Sequence, residues 1–159
     1  MTVDKQFKGN VGTYLTAAKL SEMNLIALTT TRNTKGYDVI VMNPATNRGK
    51  GIQVKCTDKK DFPMLQFFLK DYDKEIQERI ICDFVFVDIS SLDKPRFFVV
   101  PMKEVQRLLR ESVKDWMQNS KHLRKPLDEM IRTETKKQSW SLTLDEVLAF
   151  EDKWVSVTP

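Results

Sequence analysis

The stretch Tyr37-Asp38-Val39-Ile40-Val41, followed after a turn by Gly51-Ile52-Gln53-Val54-Lys55, decides the fold of this chain. Both runs are apolar and largely β-branched apart from one Asp, one Gln and one Lys, a composition that suits a half-buried pleated surface. Successive strand residues point to opposite faces, so Gln53 and Lys55 share one face while Ile52, Val54 and Cys56 share the other. The connection from Asn43 to Lys50 contains Pro44, Asn47 and Gly49 and is short enough for an antiparallel hairpin. Cross-strand partners in a hairpin lie on one face, so Asp38 sits opposite Gln53 or Lys55, according to register. A carboxylate, an amide oxygen and an ammonium are thereby gathered on one side of a sheet whose other side is apolar.

Working outward, Val11, Leu15 and Ala18 fall at helical spacing and predict a helix over residues 11–24, with Asn10 as its cap. Residues 25–31 are apolar and β-branched and read as a first strand. Residues 62–79 are harder to read, their second half being either helix or extended loop. IICDFVFVDI at 80–89 is a buried strand, and RFFVV at 96–100 is its hairpin partner. Pro101 leads into a helix over 102–118 with Val105, Leu108, Leu109, Val113 and Trp116 in one apolar stripe. Residues 119–138 are polar, basic and without clear periodicity. A last short helix is expected over 144–150 after Thr143, with Asp145 and Glu146 favourably placed at its N-terminus. The pattern is α+β: a mixed sheet of about five strands flanked by helices, followed by a C-terminal helical extension.

At 159 residues the chain is most simply one domain, with a core over about 1–118 and a basic extension over about 119–159. A hydrophobic fraction of 41% with only 5 Gly and 6 Pro argues for a folded chain over a disordered one. No apolar run reaches the roughly 18 residues of a membrane helix, so no membrane partner is expected. Cys56 and Cys82 do not form a CxxC pair, which suits a reducing cytoplasmic compartment. A single histidine, His122, argues against Ser-His-Asp and multi-His zinc chemistry. The net charge is +4, and residues 102–137 hold ten Lys/Arg against six Asp/Glu while the remainder is balanced. A positive excess confined to one segment suits a polyanion, although a solvated helix face with a basic loop has the same composition.

An Asp on one strand with Gln-x-Lys on the next suits metal-assisted phosphodiester hydrolysis. Mg²⁺ (or Mn²⁺) takes hard oxygen ligands, usually one or two carboxylates with waters and substrate phosphate. Asp38, the Gln53 amide oxygen and the Val54 carbonyl would hold it. Lys55 would orient the attacking water and offset charge on the phosphorane. The plainer alternative is a cross-strand Asp38–Lys55 ion pair with Gln53 facing solvent.

Taken together, GNVGTYLTAAKL at 9–20, RNTKGYDVIVMN at 32–43, GIQVKCT at 51–57 and the strands over 84–100 resemble the PD-(D/E)XK nuclease superfamily. The likeness lies with its small prokaryotic members and its intron homing endonuclease branch, and it spans roughly the first 110 residues in order. It implies a restriction endonuclease-like core, a metal-dependent endonuclease activity, and a site in which Asp38 matches the motif Asp and Gln53 and Lys55 match D/E-x-K. Two positions depart from the pattern. Gln53 is neutral, as in some homing-type members, and Thr13 stands where relatives carry a metal-binding Glu at the helix start. Glu22, nine residues beyond Thr13 at about 100° per residue, lies on the opposite helix face and cannot replace it. Asp58 is a remote substitute.

Lys121, His122, Arg124 and Lys125, with Arg132, Lys136 and Lys137 further on, form the candidate DNA-contacting surface, or else an exposed basic connection. Trp116, Trp140 and Trp154 have rings able to stack on bases, but Trp116 lies on the apolar stripe and the others suit pinning the C-terminal segment. The leading expectation is a Mg²⁺- or Mn²⁺-dependent DNA endonuclease acting as a homo-oligomer, since so small a domain contacts little DNA alone. Its alternatives are a catalytically weakened module that keeps the fold and binds DNA or a protein partner, and an RNA-processing or RNA-binding protein of the same fold.

Overall fold

The expected hairpin lies at the centre of the molecule. The computed structural model describes residues 4–31, 36–119 and 125–159. β2 (Val39–Asn43) pairs antiparallel with β3 (Arg48–Thr57), Val39 lying opposite Ile52 and Asn43 opposite Arg48. The turn between them uses Asn47 at φ 54, a left-handed conformation that Asn tolerates. β3 is longer than the sequence suggests, and Gly51 is in its interior, where it had read as a strand end. The reason is steric: a side chain at Gly51 would collide with the Tyr37 ring, which lies over the strand there.

β1 (Ile26–Thr29) adds to the outer edge of β2. On the other side of β3, β5 (Asp83–Asp88) runs parallel, with Gln53 beside Phe84 and Lys55 beside Phe86. β6 (Arg96–Val100) closes the sheet antiparallel to β5. The five-stranded sheet has the order β1-β2-β3-β5-β6 and is mixed because only the β3–β5 pair is parallel. That parallel pair requires a crossover, which the undecided stretch supplies: β4 (Asp61–Phe67), a 3₁₀ turn (Leu69–Asp71) and α2 (Tyr72–Arg79).

Each face of the sheet buries its own core. On one face, α1 (Lys5–Glu22) covers Val39, Val41, Ile52, Val54, Val85, Val87 and Val99. The helix begins earlier than expected, so Asn10 lies within it and is not a cap; the Asp4 carbonyl accepts the first turn's N–H groups from Phe7 and Lys8. On the other face, Phe84, Phe86, Phe98 and Val100 pack with α2 and with α3 (Met102–Gln118), the helix expected after Pro101. Each fully buried Phe here is worth about 1.5–3 kcal/mol relative to exposure, so the face does not yield readily.

The C-terminal extension is only partly helical. α4 (Leu127–Arg132) and β7 (Gln138–Thr143) precede α5 (Leu144–Val147), which a 3₁₀ turn continues to Phe150. α5 has a capping box between Thr143 and Glu146. β7 pairs with β4 in a separate two-stranded sheet, a pairing the sequence reading did not anticipate. Trp140 of β7 is buried and packs against Phe67 and Trp116; Trp154 is buried against Phe97. None of the three indoles is presented for stacking on a base: Trp140 and Trp154 are buried, and Trp116 packs against the core. No described helix is long and apolar enough to cross a membrane.

Candidate active site

Gln53 and Lys55 project from β3 on the face opposite α1, beside Phe84 and Phe86 of β5. Both line a cavity of about 530 Å³. Its far wall comes from the last turn of α2, through Glu78 and Arg79, and its apolar side from Met64 and Leu65 of β4. Gly36, at φ 91, forms the lip and is fixed there by the Cys82 thiol, which donates to its carbonyl at 3.1 Å.

Asp38 stands one residue before β2, next to the Val39–Ile52 pair that ends the ladder. Its backbone N–H donates to the Ile52 carbonyl at 2.9 Å, and its own carbonyl accepts from Thr30. The carboxylate is turned into the gap between β2 and β3, where Oδ2 accepts the Val54 N–H at 2.7 Å. A side chain thus does the work of a ladder carbonyl, and the two strands part at this point. Strand geometry puts the carbonyl and N–H of one residue on the same edge, so the Val54 C=O faces the same gap. Asp38 does not itself line the cavity, but its charge is felt at Lys55.

Lys55 is half-buried and forms no hydrogen bond or ion pair among the described residues. Burial pushes its ammonium below the ordinary lysine range; Asp38 pulls the other way, and the nearby Arg79 guanidinium adds to the depression. The neighbouring cations behave differently. Lys50 pairs with Asp83 at 2.7 Å and Lys8 with Asp58 at 2.6 Å. The simple Asp38–Lys55 ion pair that the sequence also allowed is therefore not formed. What the arrangement offers is an unspent, partly desolvated cation next to a carboxylate and an amide, at the wall of a cleft.

Thr13 sits on the turn of α1 whose Gly12 rests on Cys56 and Val54, on the sheet face opposite the cavity. Its hydroxyl donates to the Gly9 carbonyl at 2.9 Å. Asp58 is taken up by Lys8, which holds its carboxyl below the usual carboxylate range, and Glu22 is paired with Lys19. Neither supplies a second carboxylate to the Asp38 gap. Among the described residues there is no group of three or more His, Cys, Asp or Glu side chains placed to share a metal ion. The oxygens at hand are Asp38 Oδ1, the Gln53 amide oxygen and the Val54 carbonyl. All are hard donors that fit Mg²⁺ or Mn²⁺, with a single formal charge among them.

Of the basic candidates, Lys121, His122 and Arg124 lie outside the described residues. Lys125 is paired with Glu129 at 3.2 Å; Lys137 lies over the Phe68 ring; Arg132 and Lys136 are exposed. Lys137 and Lys136 gather near Phe68 and Leu69, just ahead of α2, whereas Glu78 and Arg79 end it. Glu78 and Arg79 were missed in the sequence reading because they fall in the stretch it left undecided. The signal was present: Leu69, Tyr72, Ile76 and Ile80 recur at helical spacing, which sets the charged residues between them on the helix's outer sides. Compared with family models, curated proteins and solved structures, the chain gives no match in any of the three.

Proposed function

We propose that this chain is a metal-dependent, nuclease-like phosphodiesterase acting on DNA, with Asp38, Gln53 and Lys55 as its working residues. The observation that carries the reading is the unpaired Lys55 at the wall of a cleft, two residues from Gln53 on one strand face, with the Asp38 carboxylate across the strand gap. The PD-(D/E)XK resemblance assigns the same three residues to the site. Asp38 Oδ1, the Gln53 amide oxygen and the Val54 carbonyl would hold Mg²⁺ or Mn²⁺, which supplies charge neutralisation on the phosphate and a more acidic bound water. Lys55 donates hydrogen bonds to the phosphate oxygen as negative charge grows there. The chain acts as a homo-oligomer in this reading, and its exposed Arg132 and Lys136 extend the anionic-strand contact.

A second reading is favoured by one specific feature, the single carboxylate of the donor set. In it the fold binds DNA, or a protein partner, without cutting. A plasmid-nicking assay with Mg²⁺ or Mn²⁺ separates the two. Wild type should nick, and Lys55→Ala or Asp38→Ala should each lower the rate by about 10²–10³. Wild type and variants equally inert, with DNA still shifted in a gel, would establish the binding module instead. An equal response to an RNA substrate would move the assignment to RNA.

A further inference from the structure

The cavity contains a second cation that the Asp38–Gln53–Lys55 motif does not account for. Arg79 ends α2 and lines the same cavity as Lys55, close enough for its charge to be felt there. One corner of its guanidinium is anchored: Nη1 donates to the Gln66 carbonyl at 3.1 Å and to Glu75 at 3.1 Å. Nε and Nη2 donate to nothing among the described residues. These two nitrogens form one edge of the planar group, the edge that matches two oxygens of a phosphate in a bidentate pair. The side chain is 45% exposed, so the free edge is reachable from solvent. Two like charges facing one cavity repel each other, and among the described residues Lys55 forms no ion pair, its only offset being the Asp38 charge. An anion between them removes that repulsion.

Resting on the functional reading above, we propose that Arg79 is a phosphate-binding residue of the cleft. Held by Gln66 and Glu75, it grips through its Nε–Nη2 edge the phosphate next to the one that meets Lys55. Glu75 and the Gln66 carbonyl pre-set the fork, so little side-chain freedom is lost when the phosphate arrives. The apolar wall of Met64 and Leu65 then faces the sugar or base between the two phosphates. Arg79 orients the strand, and the chemistry stays with Asp38 and Lys55. The ligand class is a nucleic-acid strand with at least two consecutive phosphates; a mononucleotide fills only half of the site.

The test is fluorescence anisotropy with a labelled 12-nucleotide DNA strand, over a series of salt concentrations, for wild type, Arg79→Gln, Arg79→Lys and Lys55→Gln. Arg79→Gln should bind about tenfold more weakly, and the slope of log affinity against log salt should fall by about 0.7, one phosphate contact. Arg79→Lys should keep the slope, because the charge remains, yet lose several-fold in affinity because the fork is gone. A residue that merely braces α2 would lower the melting temperature without changing the salt slope, so slope and melting are recorded together. If Arg79→Gln binds with unchanged affinity and slope while Lys55→Gln weakens binding, the Arg79 assignment is wrong and the functional reading survives. If wild type binds no DNA strand at all, the functional reading falls and this proposal falls with it.

Discussion

The close approach of α1 to β3 can be tested with a pair of glycines on one helix. A Cβ built at Gly12 would sit 2.6 Å from the Cys56 Cβ and 3.1 Å from its sulfur, whereas one built at Gly9 meets nothing within 4 Å. Relaxed carbon contacts lie at about 3.5–4.0 Å, so Gly12→Ala must move helix and strand apart by about 1 Å. Such overpacking costs about 1–3 kcal/mol, offset by about 1 kcal/mol of helix propensity gained over glycine. Gly9→Ala takes the same propensity gain without the clash. The two variants should therefore differ by about 2 kcal/mol in urea unfolding, or about 4–8 °C in melting temperature for a chain of this size. Adding Cys56→Gly to Gly12→Ala removes the colliding atom and should recover part of the loss as a coupling of about 1 kcal/mol. If Gly12→Ala proves as stable as Gly9→Ala, helix and strand are not in the contact described.

Lys55 gives a prediction about pH. Its folded pKa lies below its unfolded value, so between the two the unfolded chain binds more protons and stability rises with pH. Below that window the protonated lysine destabilises the fold, so Lys55→Met should raise the urea midpoint at pH 7, with a smaller gain at pH 10; an equal gain at both would exclude a depressed pKa. Burial pushes the Cys56 and Cys82 thiols up to about 11, so iodoacetamide at pH 8 should label both slowly until urea is added. Rapid labelling of the native chain would show that burial is overstated. Thr13→Glu should leave Mn²⁺ affinity unchanged, read by isothermal titration, because that turn of α1 lies on the sheet face opposite the cavity; a clear gain would show that it faces the ion.

The central sheet was legible because its hydrophobic pattern is unambiguous. The runs at 80–89 and 96–100 are continuous apolar strands, and 102–118 repeats its apolar residues every three or four positions. The paired register runs from Val39 opposite Ile52 to Asn43 opposite Arg48, and Asp38, just before it, donates its N–H to the Ile52 carbonyl. β4 stayed hidden for a physical reason: Pro63 and a register shift between Pro63 and Leu65 break the period of two on which strand recognition depends. β7 shows that alternation plainly, with Trp140 and Leu142 inward and Ser139 and Ser141 outward, but its partner lies about 75 residues earlier and no local signal joins them. For the site, the sequence located the β2 and β3 residues because they are close in the chain. It missed Glu78 and Arg79, because only the crossover between parallel strands brings α2 over the cleft. The partial desolvation of Lys55 and the Asp38 bond to Val54 N–H are tertiary facts and leave no trace in spacing.

The proposed chemistry stands or falls with where a divalent ion and a phosphate settle. Crystals grown with Mn²⁺ and a short DNA duplex, measured at the manganese absorption edge, would show this directly. The expected result is an anomalous peak bonded to Asp38 Oδ1, the Gln53 amide oxygen and the Val54 carbonyl, with a phosphate oxygen against Lys55 Nζ. A peak elsewhere, or a bound DNA strand that leaves Lys55 untouched, would contradict it.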